Sequence, residues 1–261
     1  VVIGATLVLY VIAGWWGATG LILYLVRRPV DTFRRTLAVC SVLGAAALVL
    51  LRWSSLTPTI SGACVAFAAT LLIWGWLEMS FLFGVVTGPR RTGCAADCRG
   101  FTRLRHAIEA ILYHELATIG AAGLVLALTW HAPNQTGLWT FVLLWGMRIS
   151  AKLNLFLGVP NTGEIMLPPH LKYLGAFFRR RKLNLLFPIS MIATTFLSVL
   201  LIGAAASTQA WGFQAGMLTL LATLSSLAWI EHWMLILPMR ADAPWRFTRA
   251  PTASPAADTS L

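Results

Sequence analysis

Apolar residues run along this chain in seven long blocks separated by short polar or basic segments. A helix rises 1.5 Å per residue, so a hydrocarbon core of about 30 Å takes roughly 20 apolar residues to cross. The blocks at about residues 1–26, 36–53, 59–86, 107–130, 137–159, 185–206 and 212–237 meet that requirement, and 36–53 is the shortest. Pro89 and Pro238 are placed to stop the third and seventh helices, because proline cannot continue a helix and pushes its predecessor toward extended geometry. Pro188 fits the first turn of the sixth, where its missing N–H costs little. The predicted fold is an all-α integral membrane protein with a bundle of about seven transmembrane helices over residues 1–240. Residues 241–261 form a cytoplasmic tail, whose Ala/Pro/Thr/Ser-rich end from Ala250 reads as disordered.

Composition agrees with this pattern. The chain is 58% hydrophobic and 11% charged, against about 45–50% and 25% in soluble domains, which excludes an ordinary water-soluble protein. The formal charge of +11, from 20 Lys+Arg and 9 Asp+Glu, would suit a polyanion binder on a soluble module, but every basic cluster here abuts an apolar block, so nucleic acid is not expected. Arg27, Arg28, Arg34 and Arg35 follow the first block. Arg90, Arg91, Arg99, Arg103 and Arg105 follow the third, Lys172, Arg179, Arg180, Arg181 and Lys182 the fifth, and Arg240, Arg246 and Arg249 the seventh. The remaining loops contribute only Arg52. Positive-inside counting therefore puts the N-terminus in the periplasm and the C-terminus in the cytoplasm. With Arg27 and Arg28 behind it and no cleavage site, the first block reads as a retained anchor. Trp130, Trp139 and Trp211 sit where an interfacial belt would, whereas Trp15 and Trp16 lie mid-span and suit packing or a ligand.

Ionisable residues inside spans are costly and mark a functional hypothesis by default. Glu78, His114, Lys152 and Glu231 each lie six to eight residues from the cytoplasmic end of a span, a depth of roughly 9–12 Å. Glu115, Arg148 and His232 fall in or near the same layer, and Asn154 accompanies Lys152. Interhelical ion pairs alone would account for any one of these residues; the layer as a whole points to a ligand pocket or water-accessible cavity. Arg148 and Lys152 are four apart and share a helix face, with Glu115 and Glu231 as the expected counter-ions. No metal ligand is assigned outright, but a neutral imidazole at His114 or His232 could ligate the magnesium of a chlorophyll or the iron of a haem.

Other motifs carry less. His114-Glu115 opens like a zinc-protease motif but has Thr118 where the second histidine is required. His106 and Glu109 are the reverse of the Glu-x-x-His order that a di-metal bundle uses. Cys94 and Cys98 form a single C-x3-C pair; zinc would need two more ligands, and two free thiols are expected in a reducing compartment. Cys40 and Cys64 behave as small apolar residues. The basic run Arg179-Arg180-Arg181-Lys182 suits contact with anionic lipid headgroups, or docking of an acidic partner. With no nucleotide loop, nucleophile elbow or kinase signature, nothing names a reaction.

Several strings are more specific than composition: Trp74-Gly75-Trp76-Leu77-Glu78-Met79-Ser80-Phe81, Thr87-Gly88-Pro89-Arg90-Arg91, Ile111-Leu112-Tyr113-His114-Glu115-Leu116, Ser150-Ala151-Lys152-Leu153-Asn154-Leu155-Phe156-Leu157-Gly158, Leu167-Pro168-Pro169-His170-Leu171 and Glu231-His232-Trp233. Together they resemble the photosynthetic complex assembly protein family PuhE, named for its gene position near that of the reaction-centre H subunit of phototrophic bacteria. The resemblance runs from Trp15 to about Pro238. It implies a protein of the bacterial inner (photosynthetic intracytoplasmic) membrane that assists assembly of the reaction centre and light-harvesting complex, with their subunits or other assembly factors as partners. Bacteriochlorophyll or another tetrapyrrole is the implied candidate ligand. It supplies no catalytic residues. A membrane enzyme acting on a pigment precursor or isoprenoid, and a structural subunit of the mature photosystem, are the alternative readings.

Overall fold

The computed structural model describes residues 2–95, 98–208 and 210–237. Pro238, Arg240, Arg246, Arg249 and the predicted tail lie outside the described residues. Within them are seven α-helices, each long and apolar enough to cross a membrane: α1 (Val2–Val26), α2 (Phe33–Ser55), α3 (Ile60–Leu82), α4 (Gly100–Thr129), α5 (Thr136–Leu157), α6 (Leu186–Ala206) and α7 (Phe213–Met234). Short 3-10 segments at Val30–Thr32, Glu164–Met166 and Pro169–Phe177 complete an all-helical fold.

The core is built on α3 and α7, which carry the most buried residues and pack against α1 and α5. Leu7 and Val11 of α1, Phe67 of α3, Leu143 of α5 and Leu220, Leu221 and Leu224 of α7 form one cluster. Phe141, Ala66, Ile73 and Val125 join α5, α3 and α4 in a second. By contrast α2 leans mainly on α3 and α6 on α7. Their outer faces expose Val39, Val42, Val49, Ile192, Phe196 and Val199, as side chains solvated by lipid tails should be. Trp130, Trp139 and Trp211 are likewise exposed.

Helix ends depart from the apolar blocks in two informative places. The block predicted over 59–86 yields a helix that stops at Leu82, seven residues before Pro89. Gly84, at φ +76°, takes the left-handed conformation that ends a helix without Cβ strain. Beyond it, the chain lies on α4: Arg90 N–H donates to Glu109 O at 3.4 Å, and His114 N–H to Thr87 O at 3.0 Å. A Cβ at Gly88 would stand 2.0 Å from Glu109 O, so only glycine permits this approach. In turn α4 starts at Gly100 rather than at 107, because the helix continues past its apolar stretch and carries Arg103, Arg105 and His106 on its first two turns.

The α5–α6 connection, expected as a long basic loop, is an ordered cap. Arg179 N–H donates to Leu155 O, and Val159 N–H to Arg179 O, both at 3.1 Å. Leu171, Leu174 and Phe177 of the 3-10 segment pack on Phe81 of α3 and Ala110 of α4. Asn184 Oδ1 then accepts from the Leu186 and Phe187 N–H groups at 2.9 and 3.0 Å, satisfying the start of α6 ahead of Pro188.

Candidate functional site

Four helices deliver the charged layer. Arg148 Nη2 of α5 donates to Glu78 Oε2 of α3 at 2.7 Å, and Lys152 Nζ of α5 to Glu115 Oε1 of α4 at 2.5 Å. Arg148 and Lys152 do share a face, but Glu78, not Glu231, takes the second cation. The reason is helix rotation: α3 lies against α5 along this face and turns Glu78 toward it. Among the described residues no ion pair forms to Glu231 of α7, which faces Arg148 and Glu78 at longer range. Three carboxylates therefore meet two cations.

Beside these groups lies a cavity of about 530 Å³, lined by α1, α3, α4, α5, α7 and the cap. That is the size of a small-molecule site. Trp15, Trp74, Phe81 and Phe156 give it aromatic walls, while Glu78, Arg148, Lys152, Glu231 and His232 supply a polar edge. Walls and edge together suit a guest with an apolar body and a polar or charged head. Glu115 and His114 stand outside the lining.

The histidines test the idea of an imidazole-ligated tetrapyrrole. His232 Nδ1 lies 2.9 Å from Ala228 O, an acceptor, so that nitrogen carries the hydrogen, and Nε2 is engaged by Ser150 Oγ at 2.8 Å. The His114 ring packs on Phe81 with centroids 4.6 Å apart, and its buried Nδ1 has no hydrogen-bond partner. Neither residue offers a free lone pair to the cavity, so this arrangement does not fit axial ligation of a metal there.

Asn154 belongs to a different structure, a neutral polar network behind α5. Ser150 Oγ meets Ser190 Oγ at 3.0 Å, Asn154 Nδ2 donates to Ser190 Oγ at 3.0 Å, and Asn184 Nδ2 donates to Asn154 Oδ1 at 3.0 Å and to Gly158 O at 2.9 Å. Ser150, Asn184 and Ser190 were not among the predicted residues; the signal available was polar side chains within or next to apolar blocks, and it was weak because serine is common there. Arg103 was also missed as more than topological charge. It is buried, donates to Phe156 O at 2.9 Å and to Phe177 O, and lies 4.0 Å over the Phe156 ring, fastening the cap to α4 and α5.

The basic run is only partly free. Arg179 is held through its backbone, Arg180 Nη2 reaches Glu164 Oε2 at 3.4 Å, and Arg181 and Lys182 are exposed. Cys94 and Cys98, expected as free thiols, are joined in a disulfide, with their Cα atoms 5.7 Å apart. Cys40 and Cys64 are free and partly buried.

Fold and site define a multi-pass helical membrane protein with a charged-edged cavity inside the bundle. A protein family described as "Protein of unknown function (DUF3623)" matches residues 3–256, and the chain belongs to it. A relative from Rhodobacter capsulatus, described as "Uncharacterized 30.4 kDa protein in puhA 5'region", is 37% identical over 247 residues, covering 93% of this chain and 89% of that protein. No solved structure matches the chain.

Proposed function

We propose that this protein serves biogenesis of the bacterial photosynthetic reaction centre and light-harvesting complex, and that it does so by holding an amphipathic, lipid-soluble guest in its intramembrane cavity. The observation that carries the reading is the relative's position in the 5' region of puhA. The cavity supports the guest: aromatic walls stack on an extended apolar body, and Arg148, Lys152 and Glu231 hydrogen-bond its polar groups. Bacteriochlorophyll is the first candidate, held by stacking and edge hydrogen bonds rather than through a histidine. The reaction-centre or light-harvesting polypeptides are the partners that would receive it. The basic face lies in the cytoplasm of an intracytoplasmic inner membrane, with Arg181 and Lys182 against anionic headgroups.

The test is purification in mild detergent from a phototrophic host, followed by absorption spectroscopy and pigment extraction. The expected result is about one tetrapyrrole per chain, reduced severalfold in Trp74→Ala, and a deletion strain that accumulates fewer complete reaction centres. Repeated pigment-free preparations would remove the tetrapyrrole guest. Normal reaction-centre levels in the deletion strain would remove the assembly role itself.

A further inference from the structure

At the basic end of the bundle, Cys94 and Cys98 approach the second turn of α4. One ligand atom from each of Cys94, Cys98 and His106 lies within 4.8 Å of the others, and Cys98 Sγ is 3.5 Å from His106 Nδ1. Zinc bound at about 2.3 Å to sulfur and 2.0–2.1 Å to nitrogen spaces tetrahedral ligands about 3.3–3.8 Å apart. The Cys98 Sγ–His106 Nδ1 distance already falls in that range, and the two sulfurs, bonded to one another in the disulfide, separate to about 3.8 Å once it is reduced. All three residues are half-buried, so an ion can reach them while the helix fixes His106.

The surroundings hold the pair in place. Arg90 Nη2 donates to Gly93 O at 3.1 Å, immediately before Cys94, and Cys94 packs at the edge of the cluster of Leu171, Leu174 and Phe177. A C-x3-C pair alone is half a zinc site, which is why the cysteines by themselves suggested none. The third ligand comes from eight residues beyond Cys98, on the part of α4 that lies ahead of its apolar stretch.

We propose that Cys94, Cys98 and His106 form a zinc site when the cysteines are reduced, with water or an exogenous thiol in the fourth position. Two thiolates and a neutral imidazole balance the ion's charge. The disulfide and the zinc complex are alternative states of one site. A dithiol reductant supplies the two electrons and two protons that give two thiols, and becomes a disulfide itself; zinc then displaces both thiol protons. The metal clips the α3–α4 connection to the start of α4, next to the cap. The site is independent of what the cavity holds.

The experiment uses the full chain in detergent, reduced with a water-soluble phosphine, which becomes its oxide by taking oxygen from water as the disulfide becomes two thiols. After removal of the reductant, the protein is titrated with Co²⁺ and then with Zn²⁺. The expected result is one Co²⁺ per chain, with sulfur-to-cobalt charge-transfer and tetrahedral visible bands that Zn²⁺ abolishes. Affinity should fall at least tenfold in Cys94→Ser, Cys98→Ser and His106→Ala, and persist in the Cys40→Ser/Cys64→Ser control. Co²⁺ binding no tighter than in the Cys94→Ser/Cys98→Ser variant overturns the proposal, as does affinity unchanged by His106→Ala. A reduced wild-type protein whose far-ultraviolet dichroism matches the oxidised form assures that either outcome reports on the folded chain.

Discussion

Helix α5 presents two polar surfaces within the same three turns, and they differ in kind. Toward the cavity it offers Arg148 and Lys152, paired with Glu78 and Glu115 and facing an extra carboxylate at Glu231. Toward α6 it offers Ser150 and Asn154, joined to Asn184, Ser190 and His232. The neutral surface is closed: Asn154 and Asn184 are buried, the Asn184 amide donates to Asn154 Oδ1 and Gly158 O, and the Asn154 amide donates to Ser150 O and Ser190 Oγ. The charged surface is open, with the Arg148 side chain 40% exposed, and its carboxylates outnumber its cations. A network closed on itself fixes the packing of α5, α6 and the cap. An open, unbalanced set of charges beside a cavity is suited to meeting a guest.

Four single substitutions and one double mutant probe that contrast through thermal unfolding in detergent and through guest occupancy. The largest stability loss is expected from Asn184→Leu, which strips the cap from the start of α6 and orphans groups on Asn154 and Gly158. At about 1–3 kcal/mol per buried unpaired group, the total is on the order of 3 kcal/mol; a loss near zero would mean that the network is incidental. Glu78→Gln leaves Arg148 without its counter-ion and should cost about 1–2 kcal/mol, less than a fully buried pair because Arg148 is partly exposed. Adding Arg148→Met should recover most of that loss, and a purely additive double mutant would argue against the pairing. Ser150→Ala deprives His232 Nε2 of its partner and should cost about 1 kcal/mol without altering guest occupancy. Smallest in stability is Glu231→Gln, expected within about 0.5 kcal/mol because no ion pair is lost, yet with a severalfold fall in retained guest. An unfolding temperature that drops as far as in Glu78→Gln would place Glu231 with the structural groups instead.

Much of the fold was legible from hydropathy because a membrane makes the rule local: each span needs its own apolar length and satisfies its own backbone. The seven helices and the common depth of Glu78, Glu115, Arg148, Lys152 and Glu231 follow from counting along the chain. The cap was not legible, since Leu171, Leu174 and Phe177 in a basic segment read as loop until Phe81 and Ala110 are seen beneath them. Nor was the end of α3, where Gly84 and the approach of Gly88 to α4 act before the proline does. The spacing of Cys94 and Cys98 is legible along the chain, but the approach of His106 to them follows only from a helix that outlasts its apolar stretch.

What the sequence determined by itself is the solvent, the number of spans and the level at which charge enters the bilayer, because these depend on residue type within windows of about 20 residues. Which carboxylate neutralises which cation depends on the rotation of each helix about its axis and on its neighbours. Only the tertiary structure gave Arg148 to Glu78, left Glu231 at the cavity edge, and turned Asn154 and His232 into members of a buried network. Hydropathy is a property of a segment, whereas a site is a property of faces brought together.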